Sequence, residues 1–600
     1  MRNLGLEILT AARGHGDTIA LRHQQDGQWR QFTYREMADA IERFAAGLVA
    51  QGIQPGDRVA IFSPNRPEWL IADYAIMSIR AITVPIYATC TVDQVAQIVD
   101  DARTRLLLAG TAAEYNTACG ALAQCDDLEK VGVLDDRFQA DGRALTWSDL
   151  MPEVIPADIA GEIATRREST AGDDLATLIY TSGTTGKPKG VQLSHNNFVN
   201  QHSTLEDRFD VGAKDTSLCF LPLSHVYERS WSSYVHFCGA VNTILSDPKL
   251  VIATLSEVRP TVMVSAPRLY EKIYAAILAK VENAPPLRRK LFNWALGVGD
   301  GWWTGHYAGV LPSFGRKLQY RLADKLVLGK IRNLVGGPKN FLSSGGAPLD
   351  QSIEKFFLKV GLLVCQGYGL TETAPMLTCN SPGDFKFGTV GKPIDDVEIR
   401  VVDTGEIQVR GPNVTSGYFG MPEVTAESFT EGWFRTGDVG HLDAEGFLVI
   451  TDRIKDLIIT AGGKNVAPQR IETLVGQDHY IDQLAVVGDK QKFISAIVVP
   501  AFENLREFAT QRKLPFRTDE DLIKMPEVVE FYTQRIREAS QNLASFERIK
   551  RFTLVARQFS QQAGEITPTL KVRRKVISEK YRRIIERMYN GEASETGPTD

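Results

Sequence analysis

The sequence predicts an α/β protein with a large N-terminal domain of mainly parallel sheets and a small α+β C-terminal domain. Three observations carry this prediction. Roughly the first 130 residues alternate helical and strand-like patterns, which is typical of parallel sheets. From about residue 388 to 451, strand-like runs alternate around short turns, as in a small antiparallel sheet or β barrel. After Asp452 the pattern returns to mixed α/β.

Hydrophobic periodicity predicts the N-terminal elements. Residues 34–50 place apolar side chains at helical spacing and Gly52 follows them, so we expect an amphipathic helix. Residues 56–62 predict a turn and then a buried strand, and residues 81–86 and 105–109 predict two more strands. Because helical segments separate these apolar runs, we expect the strands to pair in parallel.

The later elements have a different pattern. Residues 397–402 and 405–410 alternate polar and apolar side chains around a short turn, which predicts a hairpin. Residues 483–488 and 495–500 are apolar runs that predict strands of a second, smaller domain. We therefore expect antiparallel pairing before Asp452 and mixed α/β structure after it.

A chain of 600 residues is too long for one hydrophobic core, so we expect more than one domain. We predict an N-terminal domain over residues 1–451 and a C-terminal domain over residues 452–590. The small, acidic and polar residues 591–600 predict a disordered tail.

Composition excludes several classes of protein. The formal net charge of −5 argues against a general nucleic-acid-binding protein. The chain has no apolar run of about 20 residues and no signal peptide at its start, so we expect a cytoplasmic protein without a membrane-spanning helix. The seven cysteines have neither metal-ligand spacing nor a disulfide pattern, which fits a reducing compartment. They are Cys90, Cys119, Cys125, Cys219, Cys238, Cys365 and Cys379.

One loop of glycines, hydroxyls and lysines predicts a site for a polyphosphate. Glycines let backbone N–H groups approach an anion, hydroxyls donate hydrogen bonds, and lysines supply positive charge. A Walker A loop fails on spacing, because Pro188 follows Gly186-Lys187 where that motif needs Ser or Thr. The loop is Tyr180-Thr181-Ser182-Gly183-Thr184-Thr185-Gly186-Lys187-Pro188-Lys189-Gly190.

Two further segments suit a nucleotide. Residues 366–372, Gln-Gly-Tyr-Gly-Leu-Thr-Glu, offer an aromatic face for a purine, glycines for close approach, a hydroxyl and a carboxylate for a hard cation. Residues 343–349 form a strand end that runs into a loop of small residues. Taken alone, each segment is also compatible with an ordinary turn.

Three segments follow in the second half. Residues 433–438 end in Arg-Thr-Gly-Asp, where a short carboxylate at a strand end can accept hydrogen bonds from ribose hydroxyls. Residues 452–459 are rich in charge and also fit a solvated linker. Residues 564–571 place Lys571 after a Thr-Pro turn, although a basic surface stretch would have the same composition.

These motifs, in this chain order, resemble those of the AMP-forming acyl-adenylating superfamily, and in particular its long-chain fatty acyl-CoA synthetases. The resemblance covers about residues 20 to 580. It implies a ligase that uses ATP, Mg²⁺ and coenzyme A to convert a long-chain fatty acid to acyl-CoA through acyl-AMP. It also implies a mobile C-terminal lid that swings at Asp452.

The resemblance assigns roles to single residues. Lys571, Lys187, Glu372 and His225 are the expected catalytic residues. Glu372 and Thr181 are expected to hold Mg²⁺, and Tyr368 to pack on adenine. The expected nucleotide-binding residues are Thr181, Ser182, Gly183, Thr184, Thr185, Gly186, Lys187, Gly346, Ala347, Gln366, Gly367, Tyr368, Gly369, Thr371, Asp438, Arg453 and Lys571.

Residues 221–229 and 266–273 resemble the long-chain branch specifically. By that resemblance His225 lies beside the substrate carboxylate, although a packing role for a single histidine stays open. Some relatives close the acyl tunnel with a tryptophan four residues after this histidine. Arg229 stands at that position here, so we do not expect a tryptophan gate.

Residues 282–337 form an insertion relative to shorter synthetases. Leu318, Leu322 and Leu326 lie on one helical stripe with basic residues around them, which suits a membrane surface. We therefore consider peripheral contact with the inner face of the membrane through residues 285–330. A helical hairpin packed on the body of the protein is the alternative, and a homodimer is left open.

Other functions compete with the CoA ligase. A fatty acyl-AMP ligase would pass its acyl group to a carrier protein, and such relatives carry an insertion near the hinge. Only one extra residue follows Thr460 here, which favours coenzyme A as the acceptor. An inactive fatty-acid-binding relative is the third hypothesis, and the intact Lys187, Glu372, Asp438 and Lys571 argue against it.

Overall fold

The computed structural model describes residues 3–138, 144–181, 188–454, 456–462, 464–541, 543–567 and 572–590. Predicted site residues 182–187 and Lys571, and the predicted tail 591–600, lie outside this description. Within the described part of the chain, no helix has both the length and the apolar character needed to cross a membrane.

The strands are numbered in chain order. They are β1 (Ile19–Gln25), β2 (Gln28–Thr33), β3 (Arg58–Phe62), β4 (Ile82–Ile86), β5 (Thr104–Ala109), β6 (Lys130–Val133), β7 (Leu175–Thr181), β8 (Lys189–Ser194), β9 (Thr216–Cys219), β10 (Val241–Ile244), β11 (Val262–Ser265), β12 (Phe341–Ser344), β13 (Val364–Gly369), β14 (Met376–Cys379), β15 (Lys392–Pro393), β16 (Glu398–Val401), β17 (Glu406–Arg410), β18 (Gly417–Tyr418), β19 (Phe429–Thr430), β20 (Trp433–Leu442), β21 (Leu448–Arg453), β22 (Ile458–Ile459), β23 (Asn465–Val466), β24 (Ile481–Val487), β25 (Ile494–Pro500) and β26 (Ile549–Leu554).

The α-helices are numbered in the same way. They are α1 (Leu4–His15), α2 (Tyr34–Ala50), α3 (Pro67–Ser78), α4 (Val92–Asp101), α5 (Ala112–Leu122), α6 (Ala157–Glu168), α7 (His195–Arg208), α8 (Val226–Phe237), α9 (Val251–Val258), α10 (Pro267–Glu282), α11 (Pro286–Tyr307), α12 (Phe314–Ala323), α13 (Gly329–Leu334), α14 (Gln351–Lys359), α15 (Pro422–Glu427), α16 (Pro468–Val475), α17 (Phe502–Gln511), α18 (Asp519–Leu522), α19 (Pro526–Ala539), α20 (Arg574–Lys580) and α21 (Arg582–Asn590).

The predicted alternation of strands and helices produces a seven-stranded sheet in the order β18-β8-β7-β4-β3-β5-β6. Strand β3 pairs in parallel with β4 and β5, which confirms the expected pairing of the first three predicted strands. Helix α2 covers the predicted residues 34–50. A capping box of Thr33 and Glu36 satisfies its first N–H groups, so local sequence fixes where it begins.

A second, nine-stranded sheet has the order β15-β14-β13-β12-β11-β9-β10-β1-β2. Its central strands are parallel, whereas β14, β15 and β2 pair antiparallel at the edges. The carboxyl ends of β12 and β13 carry residues 343–349 and 366–372. In α/β proteins such strand ends are where ligands bind, so the topology brings two predicted motifs to one place.

Strands β16, β17, β20, β19 and β21 form the antiparallel sheet that the hairpin pattern predicted. In the described residues β21 and β19 both pair with β20, and no pairing joins β16 to the opposite edge, so this unit is an open sheet rather than a closed barrel. Strands β15 and β18, from the same stretch of chain, instead extend the two large sheets.

The C-terminal part is built on the three-stranded sheet β24-β25-β26, with the hairpin β22–β23 beside it. Apolar side chains pack on both faces of β24 and β25, against α16, α17 and α19 on one face and against α20 and α21 on the other. This core is distinct from those of the N-terminal part. The C-terminal part is therefore a small α+β domain with its own hydrophobic core.

The insertion over residues 282–337 is helical and packs on the body. Phe292 and Ala295 of α11 belong to a buried cluster with residues of α10 and α14, and the Trp302 ring stacks on Tyr320 at 4.3 Å. Leu318, Leu322 and Leu326 nevertheless stay exposed on the outer side of α12 and the following turn. The segment therefore combines the packed hairpin with an apolar surface stripe.

Candidate active site

A cavity of about 990 Å³ lies where the two large sheets, the antiparallel sheet and the C-terminal domain meet. Its wall includes Thr181 at the end of β7, Ser343 at the end of β12 and Gly367 in β13. The separate motifs of the sequence thus contribute to one cavity.

The phosphate-loop motif reaches this cavity from both of its ends. Thr181, near the start of the motif, lines the cavity. Pro188 and Lys189, near its end, line it as well. The Lys189 ammonium lies 5.2 Å from the centre of the Tyr418 ring. Residues 182–187, between these lining residues, lie outside the described residues.

The small-residue segment after β12 forms another part of the wall. Gly345 and Gly346 line the cavity, and a Cβ at Gly345 would lie 3.0 Å from the Tyr227 ring. Ala347 is half-buried and is not among the lining residues. Gln366 is also behind the wall, where its amide donates to the Leu349 carbonyl and accepts the Leu349 N–H. Gln366 therefore braces this segment from behind.

Tyr368 connects the adenine motif to the ribose motif. Its hydroxyl donates to the Asp438 carboxylate at 2.6 Å, and the Arg453 guanidinium donates to the same carboxylate at 2.7 Å. Burial, together with the Asp438 carboxylate, raises the pKa of the Tyr368 hydroxyl. Tyr368 and Arg453 line the cavity, whereas Asp438 is buried behind them. Each oxygen of the Asp438 carboxylate thus already accepts one hydrogen bond.

Gly369 has to be a glycine at the end of this motif. A Cβ there would lie 1.7 Å from the Pro375 carbonyl oxygen, since β13 and β14 approach closely at this point. The following residues, Thr371 and Glu372, form a short helical turn, and both line the cavity. Close packing of the turn thus presents a hydroxyl and a carboxylate side by side.

Tyr418 is a site residue that sequence reasoning missed. Its hydroxyl donates to the Glu372 carboxylate at 2.8 Å, and its ring lines the cavity. Burial and the adjacent Glu372 raise the pKa of Tyr418, so the hydroxyl keeps its proton and holds the carboxylate in place. Tyr418 lies in the two-residue strand β18, 46 positions after Glu372, and no local pattern links the two.

His225 lies at the cavity wall and begins helix α8. Its Nδ1 accepts the N–H of Tyr227 at 3.2 Å, which caps the helix. Arg229, one turn later, points into the protein and pairs with Asp73 at 2.6 Å, where both side chains are buried. Arg229 is not among the residues that line the cavity.

One limb of the cavity is apolar. It runs from His225 between helices α7 and α8 and strands β11 to β14. Three aromatic rings meet there: Phe209 stacks on Phe341 at 4.4 Å, and Trp231 meets Phe341 edge-on at 5.9 Å. The buried apolar residues that line this limb are Leu205, Phe209, Val226, Trp231, Val264, Phe341 and Cys379. Such a lining suits a hydrocarbon chain.

The C-terminal domain closes the cavity on its open side. Gln561, Gly564, Thr567 and Arg573 of this domain line the cavity. A β-bridge between Ile566 and Val572 joins the two ends of the segment that carries Lys571. Lys571 lies outside the described residues, whereas Thr567 and Arg573 line the cavity.

The residues present fit a magnesium nucleotide. No cluster of three or more His, Cys, Asp or Glu side chains suited to a metal occurs among the described residues. Mg²⁺ usually takes only one or two protein carboxylates and completes its shell with phosphates and water. The carboxylate of Glu372 at the cavity wall, which accepts a hydrogen bond from Tyr418, fits this role.

Comparison with known proteins places the chain in a family. The family model described as AMP-binding enzyme matches residues 8–419, and the AMP-binding enzyme C-terminal domain matches residues 455–593. A long-chain-fatty-acid–CoA ligase of Mycobacterium bovis, FadD15, is 35% identical over 98% of this chain and 97% of its own length. Long chain acyl-CoA synthetase 6, peroxisomal, of Arabidopsis thaliana is 31% identical over 94% and 82%.

Solved structures agree on the fold. The adenylation domain of a carboxylate reductase from Mycobacterium chelonae has a TM-score of 0.77 at 21% identity, covering 98% of this chain and 91% of that one. The order of the motifs, the two-domain α/β architecture and the shared cavity agree with these matches. The chain belongs to the AMP-binding enzyme family.

Proposed function

We propose that this protein is a long-chain fatty acid–CoA ligase that forms acyl-AMP from ATP and a fatty acid and then transfers the acyl group to coenzyme A. One observation carries the proposal: the same cavity is lined by polar residues around Tyr368 and Glu372 and by an apolar limb that includes aromatic side chains. The relatives named as long-chain ligases, matched over nearly their whole length, support the same substrate class.

In the first half-reaction, the fatty acid's alkyl chain fills the apolar limb and its carboxylate lies near His225. The carboxylate attacks the α-phosphorus of ATP and pyrophosphate leaves. Thr371 donates to the α-phosphate, and Lys571 lowers the cost of the negative charge that develops during attack. Lys187 and the phosphate loop hold the departing phosphates. Mg²⁺ on Glu372, when bound, neutralises phosphate charge.

In the second half-reaction, the C-terminal domain turns about Asp452 and removes Lys571 from the cavity. The coenzyme A thiol then attacks the acyl-AMP carbonyl, a thioester forms and AMP leaves. Asp452 lies in β21, directly before the residues that lead into the C-terminal domain. A strand end at a domain boundary is a common place for a hinge.

The test measures each product with purified protein, ATP, Mg²⁺ and palmitate. We expect pyrophosphate and acyl-AMP without coenzyme A, and AMP with palmitoyl-CoA once coenzyme A is added. Acyl-AMP that coenzyme A does not consume would instead favour the fatty acyl-AMP ligase. No pyrophosphate with any fatty acid would favour the fatty-acid-binding relative and refute the proposal.

We also propose that the insertion contacts the membrane surface from which the fatty acid is drawn. Leu311, Phe314 and Leu318 are 93%, 83% and 60% exposed, which is costly in water but suits the boundary of a lipid bilayer. Exposed basic side chains lie close to these apolar residues in the sequence and would attract anionic headgroups. They are Arg316, Lys317, Arg321 and Lys325.

Co-sedimentation with vesicles that contain anionic phospholipid tests this contact. Changing Arg316, Lys317 and Arg321 together to Glu should abolish sedimentation at low salt. The matched control changes three exposed lysines of the C-terminal domain to Glu and should sediment like the unchanged protein. These lysines are Lys513, Lys524 and Lys550. Equal loss in both triple variants would show that only net charge matters.

A further inference from the structure

A direct contact connects the N-terminal domain to the part of the C-terminal domain that faces the cavity. Arg268, in the first turn of α10, donates to the carbonyl oxygen of Asp482 and also to its carboxylate, the latter at 3.2 Å. Asp482 lies near the start of β24. One guanidinium thus joins two domains that the second half-reaction requires to separate.

The contact continues from Asp482 toward the cavity. The second carboxylate oxygen of Asp482 accepts the Gln558 amide at 2.8 Å. The next residue, Gln483, accepts the N–H of Phe559 at 2.6 Å and donates to the Phe559 carbonyl at 3.2 Å. Asp482 and Gln483 therefore hold Gln558 and Phe559, the two residues directly before residue 560.

Residues 560–567 have little freedom relative to this anchor. The buried Glu565 carboxylate accepts the N–H of Ser560 at 3.0 Å and the guanidinium of Arg557. The Glu565 carbonyl accepts the N–H of Arg573 at 2.8 Å, and Ile566 bridges to Val572. The segment that leads to Lys571 is therefore fixed to the same body as Gln558.

On the other side, α10 is fixed to the adenine-side wall. Tyr270, two residues after Arg268, is buried and donates to the Ser343 carbonyl at 2.8 Å. Ser343 ends β12 beside Gly345 and Gly346, which line the cavity. Through α10, Arg268 thus connects residues 560–567 of the C-terminal domain to the wall against which the nucleotide is expected to lie.

We propose that Arg268 is a positioning residue for the first half-reaction, because its bonds to Asp482 hold the C-terminal domain where Gly564 and Thr567 line the cavity. This inference rests on the function proposed above. Arg268 itself does not line the cavity, so it acts only through the domain it holds. The contact has to break before the C-terminal domain turns for thioester formation.

The test separates the two half-reactions in the full-length enzyme. Arg268→Ala should slow single-turnover pyrophosphate release from ATP and palmitate about tenfold, the value of one lost hydrogen-bonded charge pair. Thioester formation from supplied palmitoyl-AMP and coenzyme A should be unchanged or faster. A residue that only stabilises the fold would lower both rates together, and that outcome would overturn the inference.

Further variants keep the test decisive. Arg268→Lys should restore part of the first rate, and Lys280→Ala, at an exposed position of the same helix, should change neither rate. If Arg268→Ala does not fold, Asp482→Asn probes the contact from the other domain and should show the same split with a smaller effect. An Asp482→Asn enzyme with no split overturns the inference.

The two proposals fail in different ways. If the unchanged enzyme releases no pyrophosphate with any fatty acid, the proposed ligase function is wrong. If the unchanged enzyme is active and the Arg268 and Asp482 variants affect both half-reactions equally, the function stands and only the positioning role is wrong.

Discussion

At the residue scale, the hydrogen bond between Tyr418 and Glu372 has a consequence for metal binding. A group that orients a metal ligand from behind usually contributes strongly to metal affinity. The Tyr418 hydroxyl donates to one carboxylate oxygen of Glu372, and the other oxygen stays available toward the cavity. Rotation of the carboxylate is thereby restricted before any ion arrives.

Tyr418→Phe removes this hydroxyl and keeps the ring. We expect the Mg²⁺ concentration for half-maximal pyrophosphate release to rise roughly tenfold, because the carboxylate loses its orientation. Glu372→Gln should raise it further, because the charge is also lost. The measurement is a Mg²⁺ titration at saturating ATP and palmitate. An unchanged titration for Tyr418→Phe would contradict the orienting role.

Glu228 offers a second residue-scale prediction, on stability. It is fully buried in α8, where it accepts the N–H of Leu221 at 3.1 Å. Burial raises its pKa from 4.5 to about 8, so the folded protein holds the proton more tightly than the unfolded chain does. Its contribution to stability is present below pH 4.5 and is lost as the pH rises toward about 8.

Glu228→Gln replaces the acid with a neutral side chain of the same shape. We expect the variant to gain stability relative to the unchanged protein as the pH rises from about 5 to about 8, because only the carboxyl group has to ionise. Urea unfolding of both proteins at several pH values measures the difference. A difference in unfolding free energy that is constant with pH would count against it.

At the element scale, helices α7 and α8 and strand β12 decide how long the apolar limb is. Phe209 follows α7, Trp231 lies on α8, and Phe341 begins β12. Trp231 is held by a hydrogen bond from its indole N–H to Ser217 at 2.9 Å. Because protein interiors are closely packed, this aromatic group sets a firm limit to the hydrocarbon that fits.

Two substitutions in the limb should change chain-length preference in opposite directions. Leu205→Phe fills space and should shift the preference toward shorter acids, whereas Phe209→Leu opens space and should shift it toward longer ones. We expect the ratio of kcat/KM for palmitate to that for octanoate to change roughly tenfold in each case. A series of saturated acids measures this. Parallel loss for all acids would indicate damage to the fold instead.

At the scale of the whole molecule, the hinge proposed at Asp452 would couple the two domains to the two half-reactions. One carboxylate oxygen of Asp452 accepts the N–H of Arg453 at 2.6 Å, and the side chain is buried. Burial raises the pKa of Asp452 to about 6. The Asp452 side chain is therefore fixed at the end of β21, where we propose that the C-terminal domain turns.

Asp452→Pro should slow thioester formation more than acyl-AMP formation. Proline fixes φ near −65°, so the backbone at this position loses the freedom that a turn requires. Separate single-turnover assays of the two half-reactions measure the ratio of the rates. Asp452→Ala is the control, because it removes the side chain and leaves the backbone free. Equal slowing of both steps by the proline variant would argue against a hinge here.

Much of the fold follows from local sequence. Helix α2 begins and ends where its apolar periodicity and Gly52 predicted, and β3 and β4 lie on the predicted apolar runs. These elements depend on contacts within a few residues. The antiparallel sheet was predicted as a sheet or barrel, and its open form depends on strands β15 and β18 leaving for the large sheets, which hairpin periodicity does not encode.

The sequence by itself determined the chemistry of this protein: its nucleotide motifs, their order and its membership of the AMP-binding enzyme family. Only the tertiary structure decided which distant side chains meet. Tyr418 contacts Glu372 and Arg268 contacts Asp482 across 46 and 214 positions of the chain. Gln366 likewise accepts the N–H of Leu349 across 17 positions. Motifs depend on backbone and side-chain chemistry within a few residues, whereas such contacts depend on how whole sheets and domains pack.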